Sequence, residues 1–175
     1  MRIEDVETGI YYRKMDLADT DIIVTWRNMP SVRKRFIFRE TFTRQMHENW
    51  VHTKVETGQV VQLMICDLET DRPLGSVYLR DIDSNHKKAE YGIFIGDESA
   101  RGRGVGTAAA RFMIRYGFET LGLNRVYLRV LADNPAAIRS YEKAGFQKEG
   151  LLRQDVFLEG EFKDVVWMAA VKGEK

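Results

Sequence analysis

The feature that most constrains this chain is a glycine-rich turn at residues 101–107, Arg101-Gly102-Arg103-Gly104-Val105-Gly106-Thr107. It follows a run with strand character and opens a run with helical character. Without β-carbons, successive backbone N–H groups can point into one concavity, and a helix N-terminus adds unpaired donors and partial positive charge. Arg101 and Arg103 add full charges, so the turn suits a pyrophosphate. A Walker loop is excluded, because Gly106 is followed by Thr107 and Ala108 with no lysine. The dinucleotide pattern fails too: the third glycine is misplaced, and no acid stands about 20 residues on, near Leu121 or Asn124. Coenzyme A is the phosphate-bearing class that remains. Taken alone, the turn reads equally well as a glycine connector with solvated arginines.

The surrounding pattern is one of mixed elements. Gly9 to Met15 reads as a strand. Leu17, Ile22, Ile23 and Trp26 recur at helical spacing, with Asp16 and Asp19 as candidate caps and Pro30 as the stop. Thr43 caps a second helical stretch that ends before Gly58. Strands follow at residues 60–66, 74–82 and 89–95; in the last, Tyr91, Ile93 and Ile95 alternate with Glu90, Gly92 and Phe94. The turn then opens a helix to Leu121. Residues 125–131 form a strand, and Asn134-Pro135 starts a helix that Gly145 closes. Residues 154–158 and 162–171 form a hairpin. This order predicts an α/β or α+β fold with a central, mostly antiparallel sheet.

Length and composition bound the rest. At 175 residues, 44% apolar and 30% charged, the chain reads as one globular domain spanning residues 1–175. A net charge of +1 gives no global pull toward nucleic acid or membrane, and neither is expected as a partner. The one cysteine, Cys66, lies in an apolar run and reads as a buried small hydrophobe. No run approaches the ~20 apolar residues of a membrane span. The charged N-terminus is unlike a signal peptide, so a cytoplasmic location is expected.

Two motifs in order resemble the GCN5-related N-acetyltransferase (GNAT) family. Arg101-x-x-Gly104-x-Gly106 is similar to its acetyl-CoA signature, and Asn134-x6-Tyr141-x3-Gly145-Phe146 to its second signature. The ending, Gly150 through Arg153, residues 159–164 and Met168, resembles the branch that acetylates ribosomal-protein N-termini and related amines. The resemblance implies a seven-strand sheet splayed between its fourth and fifth strands, flanked by about four helices, with acetyl-CoA in the gap. It further implies that the backbone of Gly102, Arg103, Gly104, Val105, Gly106 and Thr107 holds the pyrophosphate. Phe94 and Ile95 would pair with the pantetheine arm as though it were a strand. Asn134 would contact that arm, cap its helix, or do both.

Acetyl transfer needs an amine freed of its proton, a stabilised carbonyl oxygen and a protonated leaving thiol. Tyr141 is the candidate acid, its spacing from Asn134 matching the family tyrosine. Glu90 is the candidate base, directly or through water; its offset to Arg101 resembles that of the glutamate in histone-modifying members. The oxyanion donor is expected among the backbone N–H groups of residues 94–96. A non-catalytic coenzyme A-binding module is the alternative, and such a module has no need of Tyr141.

The acceptor side is expected from the N-terminal helices. Trp26, Arg27 and Asn28, then Val32-Arg33, and later His47 and Trp50, resemble members that acetylate sugars linked to nucleotides. Arg33, Lys34, Arg35 and Arg39 could receive a diphosphate. The acceptor is a small-molecule or peptide amine; a polyamine pocket would want carboxylates where this half offers arginines. A homodimer is allowed. No metal is expected: His47 and His52 are five residues apart, which turns a helix about 140° past one full turn and separates the rings.

Overall fold

The protein is described here by a computed structural model covering residues 1–174. Eight strands form one sheet in the order β1-β2-β3-β4-β5-β6-β8-β7: β1 Arg2–Asp5, β2 Ile10–Lys14, β3 Val61–Asp67, β4 Pro73–Asp83, β5 Lys88–Ile95, β6 Arg125–Leu131, β7 Gln147–Leu158 and β8 Glu161–Val171. Five helices flank it: α1 Thr20–Asn28, α2 Pro30–Arg33, α3 Arg44–Trp50 with a further wide turn over Val51–Val55, α4 Val105–Glu119 and α5 Pro135–Ala144.

Every adjacent pair of strands is antiparallel except β5 and β6. Those two are parallel over three residue pairs only, Lys88 with Arg125, Ala89 with Val126 and Glu90 with Tyr127. Beyond them the strands part. Residues 91–95 stay paired with β4 and residues 128–131 with β8, so each faces the gap with an edge of free main-chain groups.

Local chemistry explains the boundaries. The Thr43 hydroxyl accepts from the Met46 N–H (3.2 Å) and starts α3. Asn134 accepts from the Ala137 N–H (3.3 Å), with Pro135 at the first helical position of α5, and Gly145 (φ 116°) ends it. The sheet carries a core on both faces. One joins α4 and α5 to Leu79, Tyr91, Val126 and Leu128. The other joins α1, α2 and the wide turn after α3 to Met64, Cys66 and Phe94. Cys66 is buried in it, as expected.

Three differences from the sequence reading have physical causes. The sheet has eight strands rather than seven, because Arg2–Asp5 pairs with β2; as an edge strand it needs no alternating apolar face, and its sequence shows none. The splay accordingly falls between the fifth and sixth strands. Five helices replace about four, since Pro30 does not merely stop α1 but starts α2 at its first position. The last hairpin begins at Gln147 rather than at residue 154: β7 is exposed along residues 147–155, so nothing in its pattern marks it as sheet. Among the described residues, no helix is long and apolar enough to cross a membrane.

Candidate active site

The gap between β5 and β6 opens into a cavity of about 970 Å³ that runs from the α4–α5 side of the sheet to the α1–α3 side. Past β5 and a short turn of helix over Glu98–Ala100, the glycine turn enters α4 with left-handed backbone at Gly102 (φ 74°) and Gly104 (φ 79°), and of its residues Gly106 lines the cavity. Gly104 is the N-cap of α4 and offers no side chain, so the first-turn N–H groups have no side-chain cap. The contrast with the capped α5 N-terminus is direct. Gly106 lies against Ser140, whose hydroxyl sits 2.8 Å from that of Thr107 and ties α4 to α5. Arg101 and Arg103 flank the turn, held by Glu98 (3.5 Å) and Asp67 (3.0 Å).

Of the residues singled out from sequence, Glu90, Phe94, Ile95, Gly106, Asn134, Tyr141 and Arg27 line this one cavity. Tyr141 enters from α5, its ring packed edge-on to Tyr91 and Phe146, both with centroids 5.9 Å away. Burial pushes its hydroxyl well above the usual phenol range, so it holds its proton.

Glu90 stands at the apex of the splay and is only 5% exposed. Arg129 from β6 donates to one carboxylate oxygen (2.9 Å), and Arg80 from β4 to the other (3.1 and 3.2 Å). The carboxylate therefore links three strands where two of them separate. Alternation predicted the face Glu90 occupies but not these arginines, which lie 10 and 39 residues away in sequence.

At the α1–α3 end, Arg27 is stacked on Phe36 (4.0 Å) and Phe42 (4.5 Å) and reaches Phe94 (5.7 Å). Among the described residues it makes no ion pair, and burial lowers its pKa. Of the other residues expected on the acceptor side, Val32, His47 and Trp50 also line the cavity, whereas Trp26, Asn28 and Arg33 do not. Trp26 is 6% exposed and packs beneath Gly96. Asn28 exchanges hydrogen bonds with the main chain of Phe42, and Arg33 donates to the Arg39 carbonyl. Arg39 is spent on Phe36, Lys34 and Glu159, which leaves Arg35 as the member of the basic run that reaches the cavity.

His47 is 1% exposed and contributes to the cavity wall; its Nδ1 lies 3.0 Å from the Thr20 hydroxyl, and its buried Nε2 has no partner among the described residues. Burial lowers its pKa and keeps the ring neutral. His52 faces solvent and bonds Glu56 instead (2.9 Å). Among the described residues, five cationic side chains line the cavity, Arg27, Arg35, Lys54, Arg80 and Arg129, against the one carboxylate of Glu90.

Comparison with known proteins places this geometry. The model of the acetyltransferase (GNAT) domain matches residues 10–147. The chain is 35% identical over 165 residues to the spermidine N(1)-acetyltransferase of Escherichia coli K12, covering 91% of this chain and 84% of that one. It is 32% identical over 167 residues to an uncharacterised N-acetyltransferase, p20, of Bacillus licheniformis, covering 93% and 92%. It is 30% identical over 138 residues to the putative ribosomal N-acetyltransferase YdaF of Bacillus subtilis, covering 78% and 70%. The fold superposes with a TM-score of 0.87 on a spermidine N-acetyltransferase from Vibrio cholerae, crystallised with CoA and spermine, over 94% of this chain and 96% of that one at 24% identity. A sheet parted beside an uncapped helix N-terminus, and a family match across most of the chain, agree: this protein belongs to the GNAT family and is an acetyl-CoA-dependent N-acetyltransferase.

Proposed function

We propose that the acceptor is a primary amine whose own molecule carries an anion, an amino sugar linked to a nucleotide diphosphate being the class that fits best, and that it attacks directly in a ternary complex. The observation that carries this reading is the acceptor end of the cavity. Arg27 is held there without a carboxylate, and Arg35 and Lys54 line the same cavity. A desolvated guanidinium without a counter-ion costs several kcal/mol, and a phosphate or carboxylate would offset that. A polyamine would bring only cations to this wall.

Acetyl-CoA supplies the activated acetyl group as a thioester. In this reading the N–H groups at the start of α4 bind its pyrophosphate, with Arg101 and Arg103 nearby. The free edge at Phe94 and Ile95 orients the pantetheine arm, and Tyr141 holds the proton for the leaving sulfur. Glu90, with both oxygens engaged by Arg80 and Arg129, fixes the apex of the gap, and the amine loses its proton through water rather than to that carboxylate.

Thiol release with UDP-glucosamine, an alanine-initiated peptide and spermidine tests the acceptor. UDP-glucosamine is expected to give a kcat/KM about 100-fold above spermidine, since misplaced like charges cost several kcal/mol. A preference for spermidine overturns the anion reading. Turnover of none of the three favours a coenzyme A-binding module. Arg27→Met keeps the packed stem and removes the charge. It is expected to raise the KM for UDP-glucosamine about 30-fold, the loss of one charge-assisted contact, and to leave the KM for acetyl-CoA in place. An unchanged acceptor KM removes Arg27 from the site.

A further inference from the structure

A second tyrosine reaches the parting of the strands from the opposite face of the sheet. Tyr78 of β4 pairs with Gly92 of β5. A Cβ on Gly92 would lie 2.3 Å from Cζ and 2.4 Å from the hydroxyl oxygen of Tyr78. The absent side chain therefore lets the phenol lie across the β5 main chain. Gly92 is two residues past Glu90, the last residue paired with β6, and two before Phe94. At about 3.3 Å per residue, the hydroxyl sits about 7 Å along the strand from Phe94, toward the apex. An arm that leaves the phosphate turn and runs past Ile95 and Phe94 presents its thioester there. Tyr141 packs on Tyr91, whose side chain alternates to the other face, so the two phenols flank the gap.

The Tyr78 ring is held in place by a relay of buried polar groups. Ser76 donates to the Leu63 carbonyl (3.0 Å), Gln62 donates to Ser76 (3.0 Å), and the Trp50 indole N–H donates to Gln62 (2.8 Å). Trp50 then meets Tyr78 edge-on, centroids 6.4 Å apart. At the end of this chain, the Tyr78 hydroxyl makes no hydrogen bond among the described residues, and the ring lines the cavity. A locked phenol with a free hydroxyl in a reaction gap is a preorganised acceptor and donor.

We propose that Tyr78 is a second catalytic tyrosine whose hydroxyl oxygen accepts a hydrogen bond from the acceptor amine and relays the proton that amine loses to cavity water. This rests on the acetyl-transfer reading above. The amine lone pair forms the nitrogen–carbon bond. The carbon–sulfur bond breaks with its pair on sulfur, which takes the Tyr141 proton. The surplus proton on nitrogen passes to the Tyr78 oxygen as the Tyr78 proton passes to water, and Tyr141 is reprotonated from solvent. The products are the amide, the free thiol and both tyrosines unchanged.

The test is Tyr78→Phe with saturating acetyl-CoA and the same three acceptors. The kcat/KM for the best acceptor is expected to fall about 100-fold, the scale of one lost proton-transfer group. The KM for acetyl-CoA and the melting temperature stay in place. Gly92→Ala, which pushes the phenol aside with its hydroxyl intact, is expected to reproduce the loss. An unchanged kcat/KM in Tyr78→Phe overturns the proposal. So does a fall matched by an equal loss of acetyl-CoA affinity or by a lowered melting temperature, which marks a structural role. If the wild type turns over none of the three acceptors, the acetyl-transfer reading falls and Tyr78 with it; wild-type turnover retained by Tyr78→Phe overturns Tyr78 alone.

Discussion

Replacing Tyr141 by phenylalanine is expected to lower kcat about 100-fold or more while coenzyme A binds as before, because general acid catalysis is commonly worth ~10²–10⁴ in rate. The substitution is conservative where it matters for folding. The ring packs edge-on to Tyr91 and Phe146, and those contacts involve no hydroxyl. The residue lines the cavity, and its hydroxyl holds its proton because burial penalises the phenolate. The same dry surroundings penalise a bare thiolate, so a phenol need not be a strong acid to be useful: it shares its proton as charge grows on sulfur. Steady-state kinetics and isothermal titration with coenzyme A separate the outcomes. A kcat within about threefold of wild type removes Tyr141 as the acid. A parallel loss of coenzyme A affinity makes it a packing residue.

Gly96→Ala is expected to cost about 3 kcal/mol of stability, at the upper end for overpacking a core. A methyl group at this position would sit 2.0 Å from Cγ and 2.2 Å from both Cδ atoms of the Trp26 indole. Neither partner can yield cheaply. The Gly96 N–H is fixed on the Leu74 carbonyl (3.0 Å), and Trp26 is 6% exposed and packed edge-on to Phe94. Chemical denaturation reads the loss. Combining Gly96→Ala with Trp26→Leu should recover part of it, since residues in direct contact couple non-additively. A cost under about 1 kcal/mol, or a double variant no better than the sum of the singles, argues against a clash between these two side chains.

Much of this fold was legible because its signals are local. Asn134-Pro135, Thr43 and Gly145 mark helix ends by chemistry contained within a few residues, and the glycine turn does the same for α4. What was hidden depends on pairing across the chain. The charged segment Arg2–Asp5 becomes sheet only through β2. The acceptor wall shows the same limit at finer scale. Trp26, Arg27 and Asn28 are consecutive, yet about 100° of helix separates each from the next. Sequence could name the segment but not which of the three looks inward. Tyr78 went unread because its meaning lies in Gly92, fourteen positions on and opposite it in the next strand. A glycine in the middle of an alternating strand was the available signal, since it marks close approach by another group.

The seam between β5 and β6 has a mechanical consequence. Among the described residues, three residue pairs, the Lys87 carbonyl accepting from the Asn124 and Arg125 N–H groups, and the Glu90–Arg129 ion pair tie the two strands; beyond, the two half-sheets are joined by side chains packed under α4. A ligand lying in that opening with polar groups for both edges completes the sheet as a missing rung would complete a ladder. Grip and release are then opposed in one structural element. If the carrier lies there as proposed, a change that stitches the two halves more tightly around it is expected to slow its departure.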